Sequence, residues 1–488
     1  MEHAAEKGLS VIWGPPGTGK TLTLTGCIHG LVHDAVLHSE SLKILVTGPT
    51  YKAVEQLIHR VVLSLAKDPS SSTEIFIAYS DSAQLQPFAS GSAHVSVSAF
   101  KFLKNSQETL DCLASLRNTS NVTIVAATTM QCFKFSNWLT GAMVGPVFDV
   151  VVIDESSQVQ LTHALSPLAT LKSAFRLIVA GDHLQMPPIV SLEPPRDAEY
   201  LVGSIQRYLR DRQFAGPILE CPLEENYRSA EDIVAYARSI GYRSSLKSVY
   251  PDTKLHVLQT AQSSSSLGFP PNLPWSTLWS EIVDPEKRVL TLLHEDDLSS
   301  QSNLFEAQMV AGLVWELRNS ISASLEGRGT VGVHKAPSPS ELWEKCIGIV
   351  TPHRAQRALV IRELKSIFPN DPVDLIEAAV DTVEKFQGGE RHTIIVTFGV
   401  GDADVIVGEE IFLMQLERTN VAISRAMAKC IVIMPMTLSG HVPQDKKALE
   451  TAHAIKDYVD EFCNRELTAD VILGSVARKA KLRFHVTK

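Results

Sequence analysis

The sequence predicts an α/β fold built on parallel sheets, and three observations predict it. Gly14-Pro15-Pro16-Gly17-Thr18-Gly19-Lys20-Thr21 fits the pattern G-x-x-x-x-G-K-[ST] without a gap. Phe148 to Ile153 is a continuous apolar run ending in Asp154-Glu155, as a strand buried on both faces of a parallel sheet reads. A chain of 488 residues is too long for one core, which points to roughly two to four domains.

Composition narrows the class. Apolar content of 44% and charged content of 20% describe an ordinary globular protein. No apolar run is long enough to span a bilayer, so no membrane partner is expected. Met1 to Ser10 lack the hydrophobic region of a secretory signal. Seven scattered cysteines with no C-x-x-C pair point to reduced thiols in a cytoplasmic or nuclear protein, and away from a zinc site. The net charge of −9 is not that of a general nucleic-acid binder, so any such surface must be a local basic groove.

In chain order, Leu9 to Trp13 reads as a short buried strand. The helix after the glycine-rich turn, Leu22 to Val36, repeats apolar residues at Leu24, Ile28, Leu31 and Val32. Strand, turn and helix N-terminus form the context in which backbone N–H groups curl around phosphates, which a Cβ would obstruct. Lys20 then reaches the β- and γ-phosphates and the Thr21 hydroxyl sits on Mg²⁺. Leu42 to Gly48 is a second strand, followed by Pro49-Thr50-Tyr51 and a helix toward Ala66. From 67 to 121 the pattern is weak and serine-rich, with a helical patch at Phe100 to Leu116, and reads as an inserted subdomain. Val122 to Thr128 is a β-branched strand.

Acidic residues at the carboxyl end of a buried strand lie where α/β sheets bind ligands. Asp154 would hold Mg²⁺ and Glu155 would act as general base on the attacking water; the bland alternative is an acidic strand end facing solvent. Phe175 to Ala180 is another strand, followed by Gly181-Asp182-His183-Leu184-Gln185-Met186-Pro187-Pro188. There Gln185 would sense a γ-phosphate, unless the segment is only a proline turn.

These blocks together resemble superfamily 1 helicases. The branch they resemble most is the 5′-to-3′ one that holds the nonsense-mediated-decay helicase, its Sen-type relatives and Dna-type AAA helicases. The second half carries further motifs in the family's order: Glu225-Asn226-Tyr227-Arg228-Ser229, Thr351-Pro352-His353-Arg354-Ala355-Gln356, Asp381 to Glu390, and Glu417 to Ala426. The resemblance implies two tandem RecA-like P-loop NTPase domains with parallel sheets and ATP in the cleft between them. The first would cover 1–205. The second would cover 206–445, interrupted by mobile loops at 259–274 and 320–340. Residues 446–488 would form a helix, His453 to Glu466, and a basic tail, either solvated or in contact with nucleic-acid phosphate.

The resemblance also assigns roles. Arg228 and Arg425 would be arginine fingers, Tyr227 would stack on the nucleotide base and Glu390 would bond the ribose. Thr50, Thr351, Arg354 and Thr382 would contact a single strand of RNA or DNA through phosphates and sugars. Two departures stand out. The glutamine that reads adenine in the family, upstream of the phosphate loop, has no counterpart, and the inserted accessory barrel is absent, as in a fragment or a protein with weak adenine selectivity. Tyr51 replaces the usual Asn, where its ring could stack on a base or spoil a polar contact. The expected activity is an ATP- and Mg²⁺-dependent helicase or translocase acting as a monomer. The alternatives are an ATPase clamp that remodels ribonucleoprotein without unwinding, and a catalytically weak scaffold.

Overall fold

The computed structural model describes residues 8–70, 72–80, 94–101, 106–141, 145–189, 198–211, 219–258, 269–329, 334–386 and 389–486. The chain divides into two compact units, Met1–Leu223 and Glu224–Lys488.

The first unit is an α/β layered domain around one sheet. Its strands are β1 (Leu9–Trp13), β2 (Leu42–Gly48), β3 (Thr73–Tyr79), β4 (Val95–Lys101), β5 (Val122–Thr128), β6 (Phe148–Ile153), β7 (Leu171–Gly181) and β8 (Leu219–Pro222). They lie in the order β4-β3-β5-β2-β6-β7-β1-β8, every neighbour parallel. Parallel strands need helical crossovers, and these cover both faces. Alternate residues therefore enter different cores. Ile44, Val46, Ile124, Val150 and Val152 pack under the helices Lys20–Leu37 and Tyr51–Leu65. Leu45, Val125, Val151 and Ile153 pack on the other face with Phe135, Ala164 and Ile205.

Two expectations are corrected here. The stretch 67–121 is not a separate subdomain: β3 pairs with β5 and β4 with β3, so it extends the main sheet. Ser96 and Ser98 are exposed on the edge strand β4, which dilutes the apolar pattern there; 81–93 and 102–105 lie outside the described residues. The first unit also runs past 205, because β8 adds a parallel strand beside β1, with Ser10 opposite Leu219.

The second unit contains the short pair β9 (Glu225–Asn226) and β10 (Lys247–Ser248), then β11 (Lys254–Val257), β12 (Val289–His294), β13 (Ile321–Glu326), β14 (Ile347–Thr351), β15 (Val380–Thr382), β16 (Arg391–Thr397), β17 (Ala426–Pro435), β18 (Arg465–Leu473) and β19 (Val476–Phe484). Its main sheet has the order β15-β14-β16-β17-β12-β19-β18. The first five strands are parallel and the last two form an antiparallel hairpin on β12. The helix Leu304–Ser320 is buried along most of its length, packing with Trp279, Trp343 and Leu364.

Three further readings change. Residues 320–340 are not one loop: Ile321–Glu326 is β13, antiparallel to β11, with Ile321 and Leu325 buried between polar serines that mask the alternation. Of the loop placed at 259–274, residues 259–268 lie outside the described residues, as do 330–333 of the other; Leu273 is buried in the core. The C-terminal helix is Lys446–Lys456, continued by a π-helical turn to Phe462. The basic tail is β19, where Lys481 and Arg483 face Glu466 across the hairpin at 3.9 and 3.5 Å.

Candidate functional site

The phosphate-type loop leaves β1 and enters the helix Lys20–Leu37. Gly17 and Gly19 take the left-handed φ values of 80° and 83°, which glycine adopts without strain. A Cβ on Gly14 would stand 2.6 Å from the Thr18 hydroxyl and 2.8 Å from Lys20 Cγ, so the turn closes only around a bare backbone. Pro15 and Pro16 are buried beneath it. The Thr18 hydroxyl donates to the Pro15 carbonyl at 2.7 Å, and Lys20 Nζ donates to the Gly14 carbonyl at 2.6 Å. The ammonium therefore already lies across the loop. Gly19 caps the helix with no side chain, which leaves the first-turn N–H groups, including that of Thr21, without a capping side chain. Such a cradle fits a polyphosphate.

Sheet order brings the other motifs beside it. β1, β7, β6 and β2 are consecutive neighbours, so their carboxyl ends line one edge. Gly14 N–H donates to the Gly181 carbonyl at the end of β7 at 3.3 Å. After β6, Asp154 is 3% exposed. Burial, with Glu155 beside it, pushes the Asp154 carboxyl well above the usual carboxylate range, against the opposing pull of the Glu155 N–H and Lys20. A divalent cation beside this buried acid would offset the penalty of its charge. Glu155 itself is left-handed at φ 50°, a strained conformation for a residue with a Cβ, and its N–H donates to Asp154 Oδ1 at 2.8 Å. Gln185 is 4% exposed; its side-chain amide donates to Asp182 Oδ2 at 3.0 Å. Asp182, given no role from sequence, is thus the group that fixes Gln185, and its signal was the Gly-Asp step ahead of it.

Thr50 is exposed at the end of β2, where its hydroxyl oxygen accepts from Ala53 N–H and caps the helix Tyr51–Leu65. The Tyr51 hydroxyl accepts from the Gln131 amide at 2.8 Å, a polar use that sequence reasoning missed.

In the second unit, the residues expected to act fall at opposite edges of one sheet. Glu390 directly precedes β16 and Arg425 directly precedes β17, at the amino ends of the parallel strands. Asn226 Oδ1 accepts from the N–H groups of Arg228 and Ser229 at 2.8 Å each, which turns the chain so that Arg228 joins that edge. Arg228 Nε donates to Glu390 Oε2 at 2.8 Å and its Nη1 to the Ser424 carbonyl at 3.2 Å. Burial raises the Glu390 carboxyl, but the charge and hydrogen bond of Arg228, together with the charges of Arg328 and Arg425, hold it below its usual range. Arg228, Glu390 and Arg425 are therefore one electrostatic group. Tyr227 is 50% exposed and its hydroxyl donates to Glu225 at 2.7 Å.

At the carboxyl ends, Thr351 of β14 and Thr382 of β15 are register partners. Both are buried, at 0% and 8% exposed, whereas Arg354 is exposed at the start of the helix Arg354–Ile367. Of the four residues expected to touch a strand, Thr50 in the first unit and Arg354 in the second are exposed, whereas Thr351 and Thr382 are buried and present no surface to a strand. Gln387 and Gly388 lie outside the described residues. Among the described residues no His, Cys, Asp and Glu cluster forms a metal site of its own, and no helix is long and apolar enough to cross a membrane.

Two family models, each described as AAA domain, match residues 1–191 and 205–436. The "DNA replication ATP-dependent helicase/nuclease dna2" of Schizosaccharomyces pombe is 28% identical over 437 residues, covering 88% of this chain and 26% of that protein. The "DNA polymerase alpha-associated DNA helicase A" of the same yeast is 27% identical over 482 residues, covering 94% of this chain and 64% of that protein. The "DNA-binding protein SMUBP-2" of Mesocricetus auratus is 25% identical over 487 residues, covering 94% and 43%. The chain thus spans between about a quarter and just under two thirds of these relatives.

Proposed function

Because the chain belongs to the superfamily 1 helicases, in the group of the replication and Sen-type enzymes, we propose that it is an ATP-driven motor that moves 5′ to 3′ along single-stranded nucleic acid. The observation that carries this is the gathering of Lys20, Asp154, Glu155 and Gln185 on adjacent strand ends of one parallel sheet. DNA is the preferred strand, since the three relatives are named for work on DNA.

Gly14 to Gly19 cradle the phosphates and Lys20 binds the β- and γ-phosphates. Thr21 and Asp154 would hold Mg²⁺, which supplies positive charge against the phosphate oxygens when bound. Glu155 takes the proton of the attacking water, and Gln185, fixed by Asp182, senses the γ-phosphate. Tyr227 stacks on the base. Arg228 and Arg425 add positive charge to the transition state, a contribution of ~10³–10⁵ in rate, or ~4–7 kcal/mol of barrier. Glu390 holds Arg228 before ATP arrives and bonds the ribose afterwards. Thr50 and Arg354 contact the strand through phosphates and sugars, so binding depends little on sequence.

Duplexes carrying one single-stranded overhang test the reading. With ATP, a 5′ overhang should support unwinding and a 3′ overhang should not. Unwinding from the 3′ overhang alone would contradict the direction. ATP hydrolysis with no unwinding from either would identify a clamp.

A further inference from the structure

β13 runs out into Gly327-Arg328-Gly329, whose glycines are both left-handed, at φ 79° and 71°. A Cβ on Gly327 would stand 2.4 Å from the Asp252 carbonyl oxygen, so the turn lies flat against the chain at Asp252 and Thr253. That close approach delivers Arg328 to the Arg228 edge of the second unit. One Arg328 Nη donates to the main-chain carbonyl of Arg228. Its guanidinium lies 5.1 Å from the centroid of the Tyr250 ring. Its Nε is buried without a hydrogen-bond partner among the described residues. Glu390 feels the charge of Arg328 as well as that of Arg228. The stretch is serine- and glycine-rich, and nothing in its composition marks Arg328.

We propose that Arg328 is a positioning residue for the Arg228 finger. Its bond to the Arg228 carbonyl fixes the main chain from which the finger projects. Its charge beside Glu390 loosens the carboxylate's hold on Arg228, so that the finger is free to turn to a phosphate. A distant segment thereby sets the readiness of a motif residue. The inference rests on the finger role proposed above for Arg228.

The test is ATP hydrolysis by the full chain, with a single-stranded DNA oligonucleotide present, for Arg328→Ala, Arg328→Lys, Arg228→Ala and the double alanine variant. Loss of a charge-assisted hydrogen bond should lower kcat of Arg328→Ala about tenfold or more. KM for ATP should stay within about twofold, the split of a residue that acts late. Arg328→Lys, which keeps a cation and a donor, should recover part of the rate. The double variant should be no slower than Arg228→Ala alone, because the two residues act as one unit. Parental kcat in Arg328→Ala beside a slow Arg228→Ala would overturn this inference alone. Losses that multiply in the double variant would also overturn it, since Arg328 would then act independently. Parental kcat in Arg228→Ala would instead remove the finger reading itself. Melting temperatures accompany each variant, and a rate loss that merely tracks melting across both Arg328 variants would overturn the positioning role.

Discussion

Glu155 carries the sharpest division of labour at the scale of single residues. It follows a buried Asp154 whose carboxyl is held above its usual range by burial and by Glu155 itself, and its backbone is left-handed. A strained residue at a strand end persists only where its surroundings over-determine it, which is common at functional positions. With Asp154 proposed to hold the cation, Glu155 is the proposed base. Glu155→Gln keeps size and hydrogen bonding but cannot take a proton. Hydrolysis should fall ~10²–10⁴-fold with ATP affinity nearly unchanged, and the single strand should dissociate more slowly with ATP present. Nucleotide titration, turnover and strand dissociation on one preparation check this. Parental turnover would contradict the assignment of Glu155 as the base.

At the scale of elements, β17 joins two tasks. Its amino end follows Arg425, and its middle holds Lys429, fully buried, with Nζ donating to the Asp284 carbonyl at 2.9 Å and to that of Lys287. Burial lowers the Lys429 pKa to about 7, with Lys287 and Arg288 adding and Asp284 and Asp232 opposing. Between that value and the ordinary lysine value of about 10.4, the unfolded chain binds a proton that the folded chain does not. Stability from this group therefore rises with pH across the window and is flat below it. Lys429→Met removes the dependence. Urea midpoints at neutral and alkaline pH should show the parent gaining on the variant by up to about 1.4 kcal/mol per pH unit. A gap that ignores pH would contradict the assignment.

The strand ends were the legible part of these elements. Buried runs such as Phe148–Ile153 and β-branched runs such as Val122–Thr128 read directly, because strands covered on both faces need no alternation. The motifs after them read equally well, since glycines and acids there are forced by local chemistry. Strands whose apolar pattern is broken by polar residues were not legible. β4, β13 and β19 carry serines or basic residues among their apolar ones, and their pairing is set by distant partners rather than by local pattern. The same reason hid Asp182, Gln131 and Arg328, whose roles arise only from what folding places beside them.

For the whole molecule, the two family matches fall one in each half of the chain, and the hairpin β18–β19 lies beyond both. Its residues Ala480 and Leu482 are buried at 1% and 0% exposed, so the second unit depends on a segment past its motifs. The proposed reaction draws on both units: the phosphate loop, Asp154, Glu155 and Gln185 from the first, Arg228 and Arg425 from the second. The most direct measurement is ATP turnover by the full chain with and without single-stranded DNA, for the parent and for Arg425→Ala. The account predicts strong stimulation of the parent by the strand, and a fall of ~10³-fold or more in Arg425→Ala with the melting temperature kept. A parent that neither single-stranded DNA nor RNA stimulates, or an Arg425→Ala variant that turns over ATP at the parental rate, would contradict it.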